Sequence, residues 1–261
     1  MYQITHLYIY PVKSLGGIAL KESRVEARGL QYDRRWMLCD ENNQFITQRK
    51  FAQLALFKLN QIDSGFQIEF QGEYFQIPFS ISGTSIQVKV WEDTCDAIEY
   101  FEASAWFSKM LSIRCKLCYM PDESKRIVDE KYAGKNHINS FSDGFPILIA
   151  GQQSLDFLNQ KLKQPIDINR FRPNIVFDGG RAYDEDSFSM FSINDVLFKG
   201  VKPCARCQVI GIDQNTSTVN LEPLSVLSSY RNMENKVLFG QNVIVLKEEG
   251  LIKVGHQLML H

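Results

Sequence analysis

Cys204 and Cys207 stand in "VKPCARCQVIGID", with Ala205 and Arg206 between them and Pro203 ahead. Two thiols so spaced can form a disulfide, supply half of a zinc site, act as a redox pair, or offer one thiolate to a soft transition metal. Arg206 adjoins Cys207 in the chain, and a nearby cation favours the thiolate, the form that ligates metal. Pro203 interrupts regular strand pairing before Cys204. In one straight strand Cys204 and Cys207 would face opposite sides. A turn carrying two unremarkable thiols is the competing explanation. A second pair, Cys115 and Cys118, lies in "RCKLCYM". The two pairs lie much further apart than the ~15–20 residues usual within a four-cysteine zinc site. Neither pair has the βαβ context of a thioredoxin-like motif. Cys115 and Cys118, like Cys39 and Cys95, read as small core residues.

Basic residues in apolar surroundings form a second group. "YPVKSLGG" sets Lys13 and Ser14 after an apolar strand, "YDRRW" sets Arg34 and Arg35 between aromatics, and "RFRPN" sets Arg170 and Arg172 before a buried-looking strand. Arginine offers a planar fork of donors suited to phosphate, and lysine a compact charge. Each alone reads equally as a surface charge or an internal salt bridge. Together, at strand ends, they suggest one anion pocket. "SFSDGFPILI" adds Ser142, Asp143 and Gly144, and Gly144 would permit positive φ and close backbone approach to a ligand. A simple turn is the alternative there.

The elements that must position these residues are mostly strands. "RRWMLCDENNQFITQRK" reads as a hairpin turning at Glu41-Asn42-Asn43, and "SIQVKVWEDTCDAIEY" alternates with period two. "EASAWFSKMLS" has helical spacing, "SLDFLNQKL" reads as a helix capped by Ser154, and "EPLSVLSSYR" as a short one. The polar stretch 121–144 reads as a long loop or boundary. Many short, closely spaced strands predict a mainly β, α+β protein built on a barrel-like sheet rather than on repeated βαβ units.

The chain has 261 residues, 44% hydrophobic and 23% charged, with a net charge of −1. That excludes nucleic-acid binding as a main role, which needs a basic surplus. The start lacks the tripartite pattern of a signal peptide, and no run approaches the ~20 apolar residues of a membrane helix. A cytoplasmic protein without a membrane partner is expected, and its six cysteines need no disulfides.

The segments "YPVKSLGG", "YDRRW", "FITQR", "FSDGFPILIAGQQSL", "FRPNIV", "KPCARC", "EPL", "FGQN" and "IKVG" follow one another from about residue 3 to the C-terminus. In this order the sequence resembles MOSC-domain proteins, and more narrowly the bacterial relatives of the mitochondrial amidoxime-reducing component. The resemblance implies an N-terminal MOSC-associated β-barrel domain over 1–120 and a MOSC β-barrel-like domain over 121–261. It also implies a molybdenum cofactor (Mo-molybdopterin) and the reduction of small N-hydroxylated compounds: hydroxylamines, amidoximes and N-hydroxylated bases.

Carried over by motif, Cys207 would ligate the metal and Cys204 would be its non-ligating neighbour. Lys13, Ser14 and Arg34 match positions around the cofactor's phosphate. Asp143, Gly144 and Phe145 match the loop on the pterin side. Arg172 and Asn174 match an Arg-Pro-Asn motif, and Ala205 and Arg206 flank the ligand; Arg172 and Arg206 would also stabilise charge during the reaction. Ala205 stands where a serine is common, which removes a hydroxyl, and Gln208 stands where an apolar residue is common. The iron–sulfur cysteines of some relatives' C-terminal ferredoxin domain and the mitochondrial members' N-terminal anchor are missing. Electrons would therefore come from a separate donor protein, ferredoxin-, flavodoxin- or flavin-reductase-like. The same family leaves a second role open, a cofactor carrier or sulfur-transfer module with a persulfide on Cys207, although no pyridoxal-phosphate desulfurase domain is present.

Overall fold

The computed structural model describes residues 1–247 and 250–261. The chain is mainly β, with four α-helices among the described residues. Its largest sheet runs in the order Ile147–Gly151, Ile175–Asp178, Tyr2–Ile9, Gln257–Leu260, Met190–Ile193, Val196–Arg206, Lys236–Lys247. Lys236–Lys247 then pairs back onto Ile147–Gly151, which closes the sheet into a barrel. Closure satisfies the edge N–H and C=O groups that an open sheet leaves exposed. The parallel pair, Ile147–Gly151 with Ile175–Asp178, needs a crossover, and the helix Gln152–Asn159 lies within it.

Side-chain alternation explains why these strands read as continuous apolar runs. Ile147, Ile149, Ile175 and Phe177 join the main core with Phe191 and Phe198. Ala150 and Val176, of opposite parity, join a second cluster with Leu155, Leu158 and Leu227 from the helices Gln152–Asn159 and Glu222–Arg231. With both faces covered, no position needs a polar residue. Each fully buried Phe or Ile contributes ~1.5–3 kcal/mol.

The first half repeats this device on a smaller scale. Trp36–Cys39, Lys116–Tyr119, Asp93–Glu99 and Ser85–Val90 form an antiparallel sheet. Single bridges from Phe45 to Cys39 and from Gln44 to Lys89 connect its two edges. Met37, Cys39, Val88, Val90, Cys95, Ala97 and Cys118 fill the inside with Phe141. Trp36, Leu38, Leu117 and Tyr119 point the other way, into the main core with Phe107 of the helix Phe101–Leu111. Cys39, Cys95, Cys115 and Cys118 are all buried, as core residues should be.

Two local expectations are corrected. Ser154 does not cap the helix Gln152–Asn159, because Gly151 holds the N-cap position without a side-chain cap. The buried carboxylate of Glu185 serves instead, accepting from the Gly151 N–H and from the Ser154 hydroxyl. The polar stretch 121–144 is also more tied down than its composition suggests. Arg126 and Ile127 pair with Asn139 and Ile138, and Arg126 is only 6% exposed.

Candidate functional site

A cavity of about 310 Å³ opens between the two halves of the chain. It is lined by Lys13, Ser14, Arg34, Asp143, Gly144, Phe145, Arg172, Asn174, Ala205, Arg206 and Cys207, all eleven residues anticipated from the sequence. Arg35 and Arg170 turn away: Arg35 binds Asp122 and the Met120 carbonyl, and Arg170 binds Asp213.

Three of these residues hold unusual backbone. Ser14, Arg34 and Arg172 have φ of 71°, 49° and 54°, in the left-handed region that side chains with a Cβ rarely occupy. Such conformations persist only where the surroundings fix them, and they concentrate at functional sites. The fixing bonds are present. Ser14 O accepts from Gln48 Nε2 at 2.8 Å, Arg34 N donates to Tyr10 O at 2.9 Å, and Arg172 N donates to Asn169 O at 3.0 Å. Gly144 departs from expectation in its backbone angle alone. It has no positive φ, and a Cβ there would meet nothing within 4 Å. Its contribution is open space on the cavity wall.

The cavity is strongly cationic. Lys13, Arg34, Arg49, Arg172, Lys202 and Arg206 line it, against one carboxylate, Asp143. Lys13 is 5% exposed and donates to Asp143 Oδ1 at 2.5 Å and to Phe141 O at 2.7 Å. Burial lowers the Lys13 pKa, Asp143 opposes the shift, and Arg126 and Arg34 add to it, leaving the ammonium's pKa below its ordinary value. Packing around the cavity would raise the Asp143 carboxyl, but its side chain stays 69% exposed, and the Lys13 ammonium beside it, with Arg49 and the Trp91 N–H, holds it well below the usual carboxylate range. Burial lowers Arg172 to about 10, with Arg34 adding to the effect, so it stays charged at neutral pH. Behind the cavity, Arg34 Nη1 donates to Asp33 at 2.6 Å and to Asn174 Oδ1 at 3.0 Å. Asn174 also accepts from Leu148 N and donates to Tyr8 O, so its amide orients Arg34 while bridging two strands.

The Lys13–Asp143 pair gives a signed pH effect. The folded pKa of Asp143 lies below its unfolded value, so the stability it adds is complete above ~3.9 and is lost as pH falls through the folded value. In urea unfolding, the gap between the midpoints of wild type and Asp143→Asn should stay constant above about pH 5 and narrow below about pH 4. A gap that instead widens on acidification would contradict the pairing.

The thiols are arranged differently from the simple strand picture. Cys204 lies within Val196–Arg206, and the pairing with Lys236–Lys247 slips between Pro203 and Ala205. This bulge breaks the alternation, so both Cys204 and Cys207 reach the cavity. Arg206 also chooses the other thiol: its Nη1 donates to Cys204 Sγ at 3.1 Å and its Nη2 to Phe171 O at 2.8 Å. Its Nε is buried without a partner. Cys207 is exposed, Cys204 half-buried. Among the described residues no three His, Cys, Asp or Glu side chains converge as a metal site, which leaves the four-cysteine zinc arrangement without support.

Thr47, Gln48, Arg49, Lys202 and Asn242 also line the cavity, without having been singled out from the sequence. Gln48 exchanges two amide hydrogen bonds with Gln214, and Gln208 Nε2 donates to Arg49 O, so the loop after Phe45 is fastened to the segment after Cys207. The segment "FITQR" carried the signal, since its polar residues follow a strand signature with no alternation of their own.

Comparison with known proteins adds to this geometry. Residues 1–114 match the MOSC N-terminal beta barrel domain, and residues 136–259 match the MOSC domain. The mitochondrial amidoxime-reducing component 1 of Mus musculus is 30% identical, over 98% of this chain and 82% of its own length. The chain belongs to the MOSC-domain family. The Homo sapiens amidoxime-reducing component 1 is 31% identical over the same shares of the two chains. The molybdenum cofactor sulfurase of Oryza sativa is 28% identical over 95% of this chain, which spans 32% of that protein. In this MOSC protein the cavity is shared between the two matched regions. Lys13, Ser14 and Arg34 come from the N-terminal barrel region, and Asp143 through Cys207 come from the MOSC domain. Among the described residues no helix is long and apolar enough to cross a membrane.

Proposed function

We propose that this MOSC protein is a molybdenum-cofactor oxidoreductase that reduces N-hydroxylated compounds: hydroxylamines, amidoximes and N-hydroxylated bases. Its electrons come from a separate donor protein, ferredoxin-, flavodoxin- or flavin-reductase-like. The observation that carries this reading is the cavity itself, where a thiol stands at one wall and a cluster of cations at another. With no protein-only metal cluster among the described residues, a metal at Cys207 would need its other donors from an organic group. A thiolate suits a soft metal. The surplus of cations suits a phosphate, and the wall left open at Gly144 leaves room for a flat ring. The residues present therefore fit Mo-molybdopterin.

In this reading Cys207 holds the metal. Lys13, Ser14, Arg34 and Arg172 hold phosphate oxygens. Asp143 keeps the Lys13 ammonium aimed, and Phe145 forms an apolar wall on the pterin side. Asn174 fixes Arg34, Ala205 spaces the two thiols, and Arg206 offers its unpaired Nε to negative charge on the cofactor or substrate. The bound cofactor supplies two-electron removal of oxygen from an N–OH group; the chain binds, orients and shields. Functionally, residues 1–120 bring Lys13, Ser14 and Arg34 to the phosphate end, and residues 121–261 bring Arg172 to it and Cys207 to the metal end. Work in the cytoplasm without a membrane partner belongs to the same proposal.

Purification from cells that make the cofactor should give near-stoichiometric molybdenum and pterin, and the loaded protein should reduce benzamidoxime with a chemical electron donor. A second reading rests on the sulfurase relative and on the exposed Cys207 thiol: a carrier or sulfur-transfer module. Mass spectrometry showing a Cys207 persulfide, with no pterin bound, would favour it.

A further inference from the structure

Arg34 and Arg172 carry like charges into the same end of the cavity. Like charges at one end of a cavity repel, and burial increases the repulsion by excluding water. One aromatic ring meets both. Their guanidinium carbons each lie 4.2 Å from the ring centroid of Tyr10. Tyr10 is 2% exposed and is held on several sides. Its N–H donates to Asp33 Oδ1 at 2.8 Å, its carbonyl accepts from Arg34 N at 2.9 Å, and its hydroxyl donates to Pro173 O at 3.2 Å. It thus touches the Arg34 segment through its backbone and the Arg172 segment through its hydroxyl. Gly17 leaves space for the ring, since a Cβ there would come within 2.6 Å of Tyr10 Cε1.

The π face of an aromatic ring presents negative potential to cations, most effectively where water is excluded. Asp33 already pairs with Arg34, and Arg34 Nη2 donates to Arg172 O at 3.1 Å; the ring can hold Arg172 beside it without a carboxylate of its own, which would cancel the charge offered to an anion. We infer that Tyr10 is the positioning residue of the anion-binding end: its ring holds Arg34 and Arg172 in the paired orientation that grips a phosphate. The hydroxyl serves only as an anchor. The identity of the natural anion rests on the proposed function, but the role of the ring does not.

The test replaces Tyr10 in the full chain with phenylalanine, then with phenylalanines carrying one, three and five ring fluorines. Fluorine drains the π face with little change of shape. Isothermal titration with inorganic phosphate and thermal unfolding are measured for each form. Tyr10→Phe should bind phosphate within about twofold of wild type. Affinity should then fall stepwise with fluorination, reaching about tenfold at five fluorines, while the unfolding midpoints stay with that of Tyr10→Phe. Equal affinity across the fluorinated series would overturn the role of Tyr10 and leave the anion pocket standing. A loss that tracks the unfolding midpoint would reduce Tyr10 to a packing residue and also overturn it. Failure of wild type to bind phosphate would overturn the pocket and this inference together.

Discussion

Replacing Cys207 by alanine is expected to strip molybdenum from the purified protein and lower benzamidoxime reduction by more than ~100-fold, while Cys204→Ala keeps the metal. Residues that merely support a ligand typically cost 10–100-fold in metal affinity or activity, and removal of the ligand itself should exceed that range. The asymmetry follows from what each sulfur touches. Cys204 is half-buried and already engaged by Arg206 at 3.1 Å, whereas Cys207 presents an exposed thiol to the cavity. Losing Cys204 frees one guanidinium arm, so a loss of activity below about tenfold is expected there. Metal content by elemental analysis, read beside turnover for both variants, decides the matter. Metal lost from Cys204→Ala and retained by Cys207→Ala would reverse the assignment of ligand and neighbour.

The second large effect belongs to a residue outside the cavity lining. Arg126 donates to Asp93 Oδ2 at 2.7 Å, to Ser140 O at 3.0 Å, to Asp143 O at 2.8 Å and to Ser142 O. Through these bonds it fastens the loop that carries Asp143 and Gly144. Arg126→Met preserves much of the side chain's bulk but leaves the buried Ser140 and Ser142 carbonyls without a donor, at a cost of ~1–3 kcal/mol each, while the half-exposed Asp93 carboxylate is taken up by water. For a chain of this length the unfolding midpoint should drop by roughly 6–15 °C. Because the Asp143 segment is released, the variant should also retain less cofactor after gel filtration. Asp93→Asn, which keeps the three backbone contacts, should lose less stability. Calorimetry on the three proteins checks this, and a midpoint for Arg126→Met within about 2 °C of wild type would rule out the fastening role.

Much of this arrangement was legible in the residues themselves. Period-two alternation marked the strands, and strand-end cations such as Lys13 and Arg172, grouped from the sequence, line one cavity. What escaped depends on partners far away in the chain. The bulge at Pro203–Ala205 is set by pairing with Lys236–Lys247, so which thiol Arg206 would reach was not written locally. Ser154 has the chemistry of a cap, but Glu185, distant in sequence, takes that work. Gly144 was expected to allow positive φ, and it sits at an ordinary φ beside open space. Arg126 stands in a polar stretch whose composition resembles a linker, and only its burial against Asp93 and the Ser140–Asp143 backbone shows that it anchors.

The strand Tyr2–Ile9 lies between Ile175–Asp178 and Gln257–Leu260 in the closed sheet. On the ribosome, Tyr2–Ile9 emerges long before Gln257–Leu260, the strand it must pair with before the larger barrel can close. Contacts of such long sequence separation are slow to form, and the waiting intermediates expose apolar surface. A fragment cut to the MOSC region alone would lack that strand and present two bare edges to neighbouring molecules. The two halves are therefore obliged to mature together, and the cavity between them forms late in the life of the nascent chain.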